Sequence, residues 1–168
     1  FETIHNIKIW ETDFAPTLHK TTKTWNMTVQ WWLSQYFYKK FPFKQHRMWA
    51  TFLFSAFWHG VRPGYYLTFM SVPLVILAQS LMKKLIQPYE WHTVYDWINW
   101  FILHRCFEYL SVAFILLDIE IIIKTWSLMY FYNHIMIIFF IILPLILTRK
   151  IPVNDGTKTK SKVDKKLS

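Results

Sequence analysis

Three long apolar stretches, residues 65–82, 97–117 and 128–147, constrain this chain more than any other feature. With a rise of roughly 1.5 Å per residue, about 20 helical residues cross the hydrocarbon of a bilayer, and each stretch is near that length. The last is the cleanest, interrupted between Met136 and Leu147 only by Pro144. Tyrosine and tryptophan gather near the ends, at Tyr65, Tyr66, Tyr89, Trp91, Tyr95, Trp97, Trp126 and Tyr130, as side chains with an apolar body and a polar tip do at a membrane interface. A chain that is 54% hydrophobic and 20% aromatic, with three glycines in 168 residues, is neither disordered nor collagen-like nor an ordinary water-soluble domain. The expected fold is all-α and integral to the membrane, a polytopic helical bundle.

Two shorter helices are expected ahead of these spans. One covers 25–38, with Thr24 as its N-cap, and carries Asn26, Gln30 and Ser34 at i, i+4 and i+8 among tryptophans and aliphatic residues. The other covers 48–59, where Thr51, Ser55 and His59 repeat that spacing and Gly60 and Pro63 mark the stop. A single polar seam on an otherwise apolar helix must face a protein-lined cavity, because lipid satisfies no hydrogen bond. Residues 1–24 show no period and are expected to be a loop with little core.

The charge of +9 invites a nucleic-acid reading, but +5 of it lies between Thr148 and Ser168. The basic residues therefore form a tail beside a span, not a face interleaved with aromatics, and no nucleic-acid partner is expected. Lysines and arginines near the spans place this tail, the Lys83–Lys84 loop and the basic loop at 39–47 on the cytosolic side, with the turn at 61–64 opposite. Residues 148–168 are expected to be a disordered cytosolic tail, and Lys165 and Lys166 have the dilysine form of a retrieval signal to the endoplasmic reticulum. A solvated terminus and a patch for anionic head groups are the competing readings of the same residues. The chain begins at Phe1 without a signal peptide, so it is taken as the C-terminal part of a longer protein.

Asn26 and His59 are the candidate reactive residues. Each has a plain structural alternative: an asparagine at a helix start bonds local backbone, and a histidine on an apolar helix is often simply buried. Position favours His59, since the dipole at a helix C-terminus stabilises the imidazolium. In the second stretch, 97–117, Asn99, His104, Arg105 and Glu108 are polar at membrane depth, and a structural ion pair of Glu108 with Arg105 or His104 is the favoured reading. The lone Cys106 allows no internal disulfide or multi-cysteine metal site and is expected to be a small buried hydrophobe.

The stretch Trp25-Asn26-Met27-Thr28-Val29-Gln30-Trp31-Trp32-Leu33, followed by Ser55-Ala56-Phe57-Trp58-His59-Gly60 and Pro63-Gly64-Tyr65-Tyr66, closely resembles the membrane-bound O-acyltransferases. The form His-Gly-x-x-Pro-Gly-Tyr-Tyr is similar to the lysophospholipid-acylating branch. Asn-Met-Thr-Val-Gln-Trp-Trp and the later Asp96-Trp97-Ile98-Asn99-Trp100-Phe101 are most similar to members acting on lysophosphatidylinositol. The resemblance implies that residues 1–147 are the C-terminal portion of such a domain and that Asn26 and His59 are catalytic. It also implies a fatty acyl-CoA co-substrate, a lysophospholipid acceptor and neither metal nor resident cofactor. Arg62 falls at a variable position of the motif and is given no role.

Acyl transfer to a hydroxyl needs a base for the hydroxyl proton and donors for the developing oxyanion. His59 suits the first; Asn26 suits either substrate orientation or oxyanion donation. No G-x-S-x-G elbow is present and Cys106 lies in another span, so direct transfer is expected in place of a covalent acyl-enzyme. Two other readings compete: an acyltransferase for another acceptor, such as lysophosphatidylcholine or a protein, and a non-catalytic transporter or scaffold.

Overall fold

The computed structural model describes residues 5–89 and 92–149. The described residues are helical and contain no strand: α1 (Ile9–Asp13), α2 (Leu18–Thr24), α3 (Met27–Trp32) running into a π-helical segment (Leu33–Tyr38), α4 (Arg47–His59), α5 (Pro63–Ile86), α6 (His92–Leu116), α7 (Ile119–Leu128) and α8 (Tyr132–Arg149).

α5 is the organising element and packs against α4, α6 and α8. Pro63 at its first turn lacks the amide that a helix start would leave orphaned, and Lys83 and Lys84 in its last turn complement the negative end of the dipole. Val72, Val75 and Ala78 from α5 meet Leu103, Cys106, Leu110 and Ala113 from α6, with Ile122 and Trp126 from α7 and Ile137 from α8 closing the core. Tyr109, 1% exposed, lies flat on Trp126 at 5.2 Å and reaches His134 Nδ1 through its hydroxyl at 3.1 Å. Outside this core, Trp10, Trp31, Trp58, Val61, Ile115 and Leu128 are each more than half exposed, a surface that water alone would not favour.

The spans differ from expectation. α5 is the one helix that alone is long and apolar enough to cross a membrane among the described residues. α6 has the length, but Asp96, Arg105 and Glu108 interrupt its apolar character. The third expected stretch does not begin at residue 128: α7 and α8 form a pair bent by 75°, and together they make at most one broken span. The break is at Tyr130 and Phe131, whose φ values of 53° and 49° end one helix before the next begins.

The N-terminal segment is not the loop its irregular pattern suggested. Thr17 caps α2 by accepting from Lys20 N at 3.3 Å, and Leu18 is buried in the main core. Thr12 and Thr24 are also buried, joined hydroxyl to hydroxyl at 2.9 Å. The expected tail lies outside the described residues apart from its start, since α8 continues to Arg149.

Candidate active site

Asn26 sits at a break, not one residue inside a helix. Thr24 ends α2, its hydroxyl donating back to Lys20 O and Thr21 O, so it is not the cap of the next helix. Trp25 is extended, Asn26 adopts φ 49° and ψ 56°, and α3 starts at Met27. Asparagine tolerates this left-handed conformation better than most residues. An N-cap side chain ordinarily reaches the second or third helical amide from extended backbone. Asn26 starts from the wrong backbone geometry for that, and its side chain makes no cap bond. The plain alternative for Asn26, a side chain spent on local backbone, does not hold.

The helix then changes pitch. Lys39 N donates to Ser34 O at 3.1 Å across five residues, the π pattern, so Ser34 does not continue the i, i+4 register of Asn26 and Gln30. This segment lies antiparallel to α4: Phe37 stacks on Phe54 at 4.5 Å, and the Trp32 ring meets that of Trp58 at a tilt, 5.4 Å between centroids. Asn26 is about 9 Å of helix before Trp32, and His59 follows Trp58. The two candidates therefore share the end of this pair that is remote from the basic loop at 39–47. No hydrogen bond or ring contact joins them among the described residues.

His59 ends α4 with its ring held by other rings. Phe69 stacks on it at 4.9 Å, Phe114 meets it edge-on at 5.3 Å and Tyr65 is at 5.7 Å. Neither ring nitrogen has a hydrogen-bond partner among the described residues. His59 remains exposed as a residue, and partial desolvation against these rings lowers its pKa from the usual value, the direction opposite to the one expected of the helix dipole. α4, with 13 residues, is too short to span a bilayer.

The glycines and proline of the motif make this placement possible. Gly60 caps α4 at φ 135°, where a side chain is strained, and a Cβ there would meet Tyr65 Cε2 at 3.3 Å. Pro63 then opens α5, and Gly64 lets its first turn press against the end of α6: a Cβ on Gly64 would fall 2.1 Å from Ala113 O and 2.8 Å from Leu117 Cα. That close approach brings Phe114 to the ring of His59. An open apolar groove of about 540 Å³ runs along the neighbouring face of α5, beside Val61, Tyr66, Met70 and Ile119; neither candidate lines it.

The polar residues of α6 have structural work. Arg105 and Glu108 form an ion pair, as expected, and His104 Nδ1 bonds Trp100 O at 2.9 Å. Asn99 bonds Gln79 Nε2 and the Pro16 carbonyl. Cys106 is buried and accepts from Asn133 Nδ2 at 3.2 Å. Two contributions were not visible in the sequence: the aromatic cradle from α5 and α6, and Asn6, whose backbone and side-chain oxygens accept from Met27 N and Thr28 N at 2.7 and 3.1 Å. Asn6 lies 22 residues from Thr28, beyond any local spacing rule.

The described residues thus place a carboxamide and an imidazole, neither of them hydrogen-bonded, at one end of a helix pair, and the sequence comparisons give the family. Residues 1–119 match the membrane-bound O-acyltransferase family, to which this chain belongs. It is 38% identical over 144 residues to the membrane-bound acylglycerophosphatidylinositol O-acyltransferase of Bos taurus, covering 81% of this chain and 30% of that protein. Against the Homo sapiens protein of the same name the identity is 39% over 140 residues, 80% of this chain and 29% of the relative. The lysophospholipid acyltransferase of Saccharomyces cerevisiae is 31% identical over 156 residues, 83% of this chain and 25% of the relative. The chain thus spans under a third of the length of these relatives.

Proposed function

We propose that the protein containing this chain is a lysophospholipid acyltransferase. It moves a fatty acyl group from acyl-CoA to the free glycerol hydroxyl of a lysophospholipid, with lysophosphatidylinositol as acceptor and arachidonoyl-CoA as donor. The observation that carries the chemistry is that Asn26 and His59, at one end of the α3–α4 pair, keep side chains unspent on structure. The names of the relatives support the acceptor class.

Neutral His59 accepts the glycerol hydroxyl proton as that oxygen attacks the thioester carbonyl. The Asn26 carboxamide orients the reacting groups or donates to the oxyanion of the tetrahedral intermediate. Collapse breaks the carbon–sulfur bond, and the departing CoA thiolate takes the proton from the imidazolium. A base in this role contributes about 10²- to 10⁴-fold to the rate. The protein is a polytopic bundle of the endoplasmic reticulum membrane with its C-terminus in the cytosol. Other parts of the full-length protein complete the cavity around the exposed aromatic face of α3 and α4.

The test is acyl transfer from labelled arachidonoyl-CoA to a panel of lysophospholipids, in membranes holding the full-length protein or its His59→Ala variant at matched folded abundance. Transfer to lysophosphatidylinositol that the variant loses is the expected result. Undiminished transfer in the variant removes His59 from the chemistry, and transfer only to another acceptor removes the head-group assignment.

A further inference from the structure

The start of α3 has an unusual division of labour. A short helix exposes its first amides and usually satisfies them with the side chain of its own N-cap. Here the N-cap is Asn26, the residue type best suited to that task, yet its side chain makes no cap bond. The two leading amides are taken from outside: Met27 N donates to Asn6 O at 2.7 Å and Thr28 N to Asn6 Oδ1 at 3.1 Å.

We infer that Asn6 is a positioning residue for the active site: by capping α3 in place of Asn26, it holds Asn26 in the left-handed conformation and leaves its carboxamide to the substrate. This rests on the catalytic reading of Asn26 and goes beyond it by naming what frees that side chain. Two contacts fix Asn6 itself. Lys8 N donates to Thr24 O at 3.0 Å, aligning residues 6–8 with the turn at 24–27, and the buried Thr12–Thr24 hydroxyl bond ties α1 to the end of α2. The left-handed backbone is otherwise costly for a residue with a side chain, and with Asn6 Oδ1 removed the cheapest repair is for Asn26 to become an ordinary cap. Its amide would then turn from the substrate toward Thr28 N or Val29 N.

The substitutions that separate the possibilities are Asn6→Ala, which removes the side-chain acceptor, and Asn6→Asp, which keeps an oxygen there and adds a charge that suits a helix N-terminus. Both retain the backbone bond to Met27. In the full-length protein in membranes, at matched folded abundance, Asn6→Ala is expected to lower kcat by about tenfold or more, as a small misplacement of a reacting group does. KM for acyl-CoA stays unchanged, and Asn6→Asp restores kcat to within about twofold of the parent. In detergent, amide exchange of a peptide covering residues 26–30 should speed up in Asn6→Ala and return in Asn6→Asp, with α5 and α6 unaffected.

Asn26→Ala is run beside them. Loss of kcat in Asn26→Ala with parental kcat in Asn6→Ala overturns the positioning role and leaves the catalytic role of Asn26 standing. Parental kcat in Asn26→Ala overturns the catalytic role, and the positioning role with it. Equal losses in Asn6→Ala and Asn6→Asp, without rescue, show that Asn6 acts through something other than the cap and overturn the inference.

Discussion

The surroundings of His59, the base in the proposed reaction, shift its proton affinity. Phe69, Phe114 and Tyr65 cover part of an otherwise exposed ring, and that partial desolvation disfavours the cationic form more than the neutral form. Its pKa is therefore below the ordinary histidine value of 6.5, and the neutral ring predominates at neutral pH without help from another residue. The sign follows directly: activity that needs neutral His59 is fully present above 6.5 and falls as pH drops through the lowered folded-state value. The expected kcat/KM profile has an acid limb with its midpoint below 6.5. Phe114→Ala admits water to the ring and should move that midpoint upward; a midpoint at or above 6.5 in the parent would remove desolvation as the controlling effect. The motif singled out His59 and Asn26 as candidates from the sequence. It could not show which side chains desolvate one or relieve the other of capping, because Phe114 and Asn6 reach them from distant parts of the chain.

At the scale of elements, helical periodicity and composition located α4 within one residue of its observed start, and they found α5. They failed at breaks that carry no glycine or proline. Asn26, Leu117, Tyr130 and Phe131 all have positive φ, and nothing about leucine, tyrosine or phenylalanine announces that conformation. The joint between α7 and α8 was therefore hidden within an apolar run. Gly64 is the opposite case, a glycine whose role is closeness. With Ala113 O only 2.1 Å from where a Cβ would be, Gly64→Ala must push α5 away from the end of α6. Overpacking of this kind costs about 1–3 kcal/mol, and here the obstacle is backbone that cannot rotate aside. Gly64→Ala is expected to lower the thermal midpoint of the detergent-solubilised full-length protein and to weaken acyl transfer in the fraction that folds, since Phe114 moves with α6. An unchanged midpoint would mean that the two helices separate without cost.

Across the whole molecule, a small amide node decides whether the N-terminal segment belongs to the bundle. Gln79 on α5 accepts from Leu18 N at 2.9 Å and donates to Asn99 on α6 at 3.1 Å, while Asn99 donates to the Pro16 carbonyl. Trp100, the next residue, bonds Asp13 O through its indole and stacks on Phe14. Asn99 stood out in the sequence only as a polar residue in an apolar stretch, because its partners lie 20 and 83 positions away. Its role follows from where Pro16 and Leu18 lie: they lead into α2, whose end delivers Asn26. Asn99→Leu keeps the approximate shape but strands the Pro16 carbonyl and one Gln79 amide donor. Leaving a buried polar group unpaired costs about 1–3 kcal/mol, a penalty that falls on the docking of the segment and not on α5 or α6 themselves. Limited proteolysis of the full-length Asn99→Leu protein in detergent should therefore show faster cleavage within residues 10–25 while the α5–α6 fragment survives as in the parent. Acyl transfer should fall in parallel, because the same segment carries Asn6 and leads to Asn26. Faster cleavage throughout the bundle would instead make Asn99 a general core residue, and parental cleavage would mean that the apolar contacts of Leu18 and Phe14 hold the segment without the node.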